Sequence, residues 1–499
     1  RSPPLYSSAA SDVYKRQVVD PYAKSVTING QRGVVVNPKP SDVSRLTGKD
    51  ATNPIIYELH IRDLSIAENS GIKNKGKFLG LTELGTKSPS GQITGLDYIK
   101  SLGVTHIQLI PIYDYSKYSV DETKLDTPQF NWGYDPVNYN SIEGSYSTDP
   151  ANPFNRIEEL QKTIDTIHQN GMGVIMDVVY NHVAGVDQHS FDYIVPGYYF
   201  RQDAKGNFLG GTGVGNETAS ERKMMQKFII DSITYLAETY KFDGFRFDLM
   251  GTHDVETMNL VYRELVKINP NIFILGEGWN MGMGIPEDIR ATQKNAYKMP
   301  EGIAHFSDNF RDGVKGSVFN GAEPGFVNGQ QNQEDYILQN IKGGKGLQGY
   351  TSARQVIQYV EAHDNLTLWD KLLETNPNDS DETRLKMHKM ATSMVLLSQG
   401  TPFIHTGQEF ARTKGGDHNS YKSPDSVNQI DWDRALKFAD NVEYFRELVK
   451  IRKLYPVFDL KSYDEIDAVY KEIATEKQLV AYKLDYNKDE IYIGYNAAR

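Results

Sequence analysis

One pattern constrains this chain before any other. From Ile55 onward an apolar run, a loop and an amphipathic stretch repeat again and again. Eight runs read as strands, at 56–61, 106–111, 173–180, 242–249, 272–277, 356–364 and 402–409, with a weaker one at 305–310. Most are nearly continuous in apolar residues, as strands covered on both faces are. Helical spacing fills the gaps. Ile157, Leu160, Ile164 and Ile167 precede the third run, and Met225, Phe228, Ile229, Ile233 and Leu236 precede the fourth. Asn155 with Glu158, and Thr218 with Glu221, have the spacing of helix caps. Eight strands alternating with helices predict an α/β chain closed into a (β/α)8 TIM barrel over 51–455. A doubly wound open sheet is the alternative. No Gly-x-Gly-x-x-Gly follows the first run, which counts against it.

The flanks read differently. Residues 1–17 hold neither Met nor an apolar signal core and are expected to be a non-native leader. Residues 18–38 alternate with period two around Asn29-Gly30. With the polar link that follows, 18–50 is expected to be the end of a truncated β-domain. Period two returns after Tyr455, at 478–484 and 490–495, so 456–499 is expected to be a second β-domain, cut short. Partial β-domains at both ends of a barrel are therefore predicted. Three connections are long, 113–155, 182–219 and 311–354. All follow strands, so they rise from the C-terminal face, where barrel active sites lie.

Composition removes several classes of function. A net charge of -11 argues against a nucleic-acid partner. With no cysteine, disulfides and thiolate metal sites are excluded. No apolar run reaches the roughly 20 residues of a membrane helix, so no membrane partner is expected. A cytoplasmic monomer is the expectation, and secretion is also compatible. The 31 tyrosines suit a sugar-stacking surface.

The chemistry gathers at strand ends. In the stretch 242–248, Phe245 and Phe247 face one side and Arg246 and Asp248 the other. An isolated Arg-x-Asp is more often a structural ion pair. Here, however, the third run ends in Asp177, Asn181 and His182, the fifth in Glu277 and Trp279, and the seventh in Glu361, His363 and Asp364. Charges crowded on one rim are hard to explain as packing. Carboxylates with histidines and an arginine, and no metal-ligand spacing, point to glycoside hydrolysis. That reaction takes one carboxylate nucleophile and one protonated carboxyl acid, about 5–5.5 Å apart when configuration is retained. Arg246 would hold Asp248 ionised for attack.

Four segments, Asp177 to His182, Gly244 to Asp248, Gly276 to Trp279 and Val360 to Asp364, resemble the signature regions of the α-amylase clan, in order. The segment Phe130 to Pro136 resembles the marker of type I pullulanases, with Phe130 in place of a Tyr. Thr413 to Tyr421 and Val427 to Trp432 are similar to that subfamily too. The resemblance implies Asp248 as nucleophile, Glu277 as general acid/base and Asp364 as the third carboxylate. It implies His182 and His363 on the sugar before the cleaved bond, with Tyr134 stacking on it. Arg246, Trp279, Trp132, Asn419 and Tyr421 would complete the substrate site, and Asp177 and Asn181 would orient the loop. It implies hydrolysis of α-1,6 branch links in pullulan, amylopectin, glycogen and limit dextrins. An α-1,4 amylase, a branching transglycosylase and a non-catalytic glucan binder are the alternatives. No cofactor is required by this reaction; some clan members bind calcium.

Overall fold

The computed structural model describes residues 18–187 and 189–498; the leader-like 1–17 lies outside the described residues. Ten strands precede residue 406 among the described residues: β1 Ile56–Leu59, β2 His106–Leu109, β3 Tyr113–Tyr115, β4 Pro136–Ile142, β5 Gly173–Val178, β6 Gly244–Phe247, β7 Phe273–Gly276, β8 Ile303–Phe306, β9 Val356–Gln358 and β10 Thr401–His405. Eight of them close a barrel in the order β1-β10-β9-β8-β7-β6-β5-β2, and every neighbouring pair is parallel. The predicted (β/α)8 barrel is the fold. β3 and β4 form an antiparallel hairpin in the first long connection.

Alternation along the strands sorts side chains into two layers. Ile56, Ile175, Leu275, Ala304, Phe306, Ile357 and Phe403 pack inside the barrel. Phe245 and Phe247 face outward into the layer beneath the helices. That layer takes the apolar stripes of α1 Gly95–Ser101, α2 Asn155–Gln169, α3 Lys223–Tyr240 and α4 Val255–Ile268. Ile157, Leu160, Ile164 and Ile167 of α2 are all buried, each worth about 1.5–3 kcal/mol relative to exposure. The register sets Asp177 of β5 directly beside Arg246 of β6.

Four sequence expectations need correction. Asn155 is the first residue of α2, after Phe154, and its amide donates to Glu159 and Ser147 at 2.8 Å instead of capping. Thr218 donates to the Tyr180 carbonyl at 2.6 Å, and α3 begins only at Lys223. In both cases another acceptor took the side chain that the cap would have used. The sixth strand is Ile303–Phe306, and Asp308–Lys315 is a helix, α5, capped by Ser307. Phe310 and Val314 are buried four apart on this helix, an interval that the strand reading, ending at Phe310, did not reach.

The fourth correction is at residues 18–38. Among the described residues they form no strand, only a bridge between Val26 and Gly33 around a left-handed turn at Asn29 and Gly30. The segment is held by the barrel's outer surface: the Asn29 amide donates to Glu122 at 3.0 Å and Ser25 to the Pro153 carbonyl at 2.6 Å. At the other end β11 Tyr470–Glu476, β12 Leu479–Tyr486 and β13 Asp489–Asn496 make an antiparallel sheet. Tyr470, Val480, Tyr482, Leu484 and Tyr495 bury one of its faces.

Candidate active site

At the C-terminal mouth of the barrel one guanidinium serves three carboxylates. Arg246 Nη1 lies 2.8 Å from Asp248 Oδ1 and 3.2 Å from Asp177 Oδ1, and Nη2 lies 3.0 Å from Glu277 Oε1. All four residues are buried. Three buried anions against one cation would be costly, so protonation relieves them. Burial pushes Asp177 up to about 8, against Arg246 and with the charge of Asp248. Burial also raises Glu277; Arg246 opposes the shift, and Asp248 and Asp364 add to it. The arrangement favours a protonated Glu277 beside an Asp248 that accepts from the guanidinium and from the Asn181 amide, each at 2.8 Å.

The backbone between the two strand ends is bent to suit. Leu249 adopts a left-handed conformation, φ 43° and ψ 46°, which costs a residue with a Cβ about 1–2 kcal/mol. That turn aims its amide at Glu277 Oε2, 2.9 Å away.

The opposite wall is built on His363. The Glu58 carboxylate accepts from both the His363 amide and Nδ1, each at 2.7 Å. Nε2 stands 3.5 Å from Asp364 Oδ2. The ring stacks on Tyr134 with centroids 5.0 Å apart and meets the Trp132 ring edge-on at 4.8 Å. Tyr134 donates its hydroxyl to Asp177 at 2.7 Å. Burial works against the His363 cation, but Glu58 and Asp364 outweigh it and raise its pKa to about 9. His182 sits 2.6 Å from Asn181 Oδ1 and 2.8 Å from the Tyr134 carbonyl; burial lowers its pKa, against Asp248.

All eleven residues expected in the site line one cleft of about 980 Å³: Asp248, Glu277, Asp364, Tyr134, His182, Arg246, Trp279, His363, Trp132, Asn419 and Tyr421. The Asp364 side chain is 48% exposed and free to meet a ligand. Trp279 is half-buried, with the Arg311 guanidinium 5.8 Å from its ring. Asn419 and Tyr421 stand on the exposed rim. Trp132 departs from expectation. It is only 4% exposed, behind His363 and next to the Lys414 ammonium at 5.2 Å, so it packs the wall and offers no open face for a sugar. Sequence reasoning missed Glu58, whose signal was a lone acid inside an apolar run, and the Leu249 amide, which had none.

Among the described residues one acidic group has the spacing of a metal site, Asp114, Glu122 and Glu143. It does not fit calcium. Arg156 pairs with Glu122 at 3.2 Å, and backbone amides of Asn29, Gly144, Ser145 and Tyr115 already occupy the Glu122 and Glu143 oxygens. Burial pushes Asp114 up to about 7, the protonated answer to crowding.

Comparison with known proteins agrees with the barrel fold. A family model described as Alpha amylase, catalytic domain, matches residues 82–205. Pullulanase of Bacillus subtilis (strain 168) is 44% identical over 485 residues, covering 95% of this chain and 66% of that protein. Pullulanase A of Streptococcus pneumoniae is 35% identical and is covered to 38% of its length, against 90% of this chain. The chain thus spans two thirds of these relatives or less. The crystal structure of pullulanase from Paenibacillus barengoltzii, in complex with maltohexaose and α-cyclodextrin, superposes with a TM-score of 0.94 at 49% identity, over 96% of this chain and 77% of that one. Barrel, rim and relatives together place this chain in the pullulanase family of the α-amylase clan.

Proposed function

We propose that this chain carries the catalytic site of a retaining hydrolase of α-1,6 branch links in α-glucans such as pullulan, amylopectin, glycogen and limit dextrins. The observation that carries the reading is the single Arg246 guanidinium joined to both Asp248 and Glu277. A shared fork keeps two carboxyl groups adjacent, the arrangement retention requires at about 5–5.5 Å. Asp248 attacks the anomeric carbon while Glu277 gives its proton to the glycosidic oxygen. The leaving chain departs and a glycosyl ester forms on Asp248. Water then gives its proton to Glu277 and attacks the same carbon, releasing the sugar and restoring both groups. Asp364, His182 and His363 hold hydroxyls of the sugar in the cleft, Tyr134 and Trp279 offer ring faces, and Asn419 and Tyr421 shape the rim.

Three carboxylates and water suffice, so no metal is required; activity that survives chelation by EDTA, with no gain from added calcium, checks this. A cytoplasmic monomer completes the reading, checked by light scattering and cell fractionation. Among the described residues no helix is long and apolar enough to cross a membrane. The flank 456–499 is read as part of a separate β-domain beside the barrel 51–455. The decisive experiment is product analysis on pullulan and on linear amylose. Maltotriose from pullulan with little action on amylose supports the proposal. Comparable cleavage of amylose selects the α-1,4 reading, and new branch points select a transglycosylase.

A further inference from the structure

Glu58 is only 2% exposed, so its charge has to be matched inside the protein. It spends both carboxylate oxygens on a single residue: Oε2 accepts the His363 amide and Oε1 faces His363 Nδ1, each at 2.7 Å. A carboxylate facing Nδ1 requires an N–H there. The other ring nitrogen, Nε2, faces a second acceptor, Asp364 Oδ2, at 3.5 Å. Both ring nitrogens therefore meet anions, and only the imidazolium satisfies both. Tyr134 on one face and the Trp132 edge leave the ring no other orientation.

We propose that Glu58 is a positioning residue: it fixes the His363 ring and its positive charge so that Nε2–H is presented, beside Asp364, to the sugar in the cleft. This rests on the hydrolase reading above. The other charged or titratable groups facing His363 are Arg246, across Tyr134 and 5.8 Å from its ring; Asp177, bonded to Tyr134; Lys414, whose Nζ donates to the His363 carbonyl at 3.1 Å; and the buried His405, which burial keeps neutral. Against two neighbouring cations, the Glu58 and Asp364 carboxylates are what keep a buried imidazole charged. A cation at that point strengthens a hydrogen bond to a sugar hydroxyl roughly twofold over a neutral donor.

Glu58→Gln separates charge from shape. A glutamine at that position accepts the His363 amide through its oxygen and donates to a neutral Nδ1, so the ring stays in place and keeps Nε2–H while losing its charge. Expected are a drop in kcat/KM on pullulan of about tenfold and a His363 titration that moves from about 9 towards the ordinary histidine value near 6.5 or below. Imidazole NMR, with the His363 signal assigned through His363→Gln, reads that displacement. Glu58→Asp, which keeps the charge, should retain the raised titration while losing rate through misplacement. In a His363→Gln background, Glu58→Gln should cause no further loss. An unmoved His363 titration in Glu58→Gln overturns the proposal, as does a full additional loss in the double variant. If Glu58→Gln fails to fold, Glu58→Asp and the wild-type titration decide, and a wild-type His363 that titrates near 6.5 overturns it. The NMR arm needs no turnover, so it reads the Glu58–His363 link even if pullulan is left intact, the result that would defeat the hydrolase reading by itself.

Discussion

Replacing Trp132 by alanine tests how the loop of residues 128–135 acts. The ring is 4% exposed and meets His363 edge-on at 4.8 Å, Tyr421 at 6.3 Å, Tyr134 at 6.4 Å and the Lys414 ammonium at 5.2 Å. Each aromatic pair is worth about 0.5–1.5 kcal/mol beyond burial, and the ammonium contact about 0.5–2 kcal/mol. Truncation should lower stability by about 3–5 kcal/mol, as loss of a buried tryptophan does. Only part of that reaches the reaction, through a His363 no longer held at its edge. Loosening worth about 1–2 kcal/mol predicts a loss of roughly 5–30-fold in kcat/KM. Because the tryptophan stands behind the wall, pullulan cleavage and the residual action on linear maltooligosaccharides should fall together. Trp132→Phe, which keeps a ring edge on His363, should recover most of the rate. The assay is reducing-end release on both substrates, well below the unfolding temperature of each variant. A selective loss on pullulan, with linear substrates unaffected, would refute the reasoning and make Trp132 a direct determinant of linkage. Wild-type rates on both would refute it too, by removing Trp132 from the positioning of His363.

Asp248→Asn and Glu277→Gln should each reduce turnover by several powers of ten with circular dichroism unchanged, since each removes one chemical step; near-wild-type activity in either removes that residue from the mechanism. Glu277 also makes stability depend on pH. Its pKa is raised on folding, so its contribution is complete below the ordinary glutamate range and is lost as pH rises through the folded value. Glu277→Gln should therefore gain in melting temperature relative to wild type as pH is raised and show no such gain near pH 4; a difference that stays flat with pH counts against the raised value. Asp177 is pushed up to about 8 by the same burial, so Asp177→Asn should be tolerated in stability at neutral pH, whereas thermal unfolding that worsens sharply at pH 6 would show that its charge is needed.

Much of the barrel was legible because parallel strands buried on both faces leave continuous apolar runs, and helices between them leave their own period. The rim was legible for a different reason: Asp177, Arg246, Asp248, Glu277, His363 and Asp364 are expensive where they sit, and expense without local compensation marks a site. What escaped depended on partners that no periodicity encodes. Asn155 and Thr218 had the spacing of caps, but Glu159 with Ser147, and the Tyr180 carbonyl, took them instead. Residues 18–38 alternate as strands do, yet their backbone bonds close on the segment itself, Thr27 to Arg32 and Val34 to Ser25, and the Asn29 amide and the Ser25 hydroxyl tie it to Glu122 and Pro153 of the barrel's own loops. Glu58 belongs with His363, 305 residues away, and no local period can announce such a pair.

The single guanidinium of Arg246 has a consequence for how this protein exchanges protons. Asp177, Asp248 and Glu277 bind it together, so they form one acid with several dissociation steps, and no step is the property of one residue. The two limbs of a rate-versus-pH curve will describe the quartet. Substituting any member will displace the protons of the rest, and the effects of paired substitutions within it will not sum. A designer wishing to move the working pH has one instrument there with four handles, and turning any of them retunes the others.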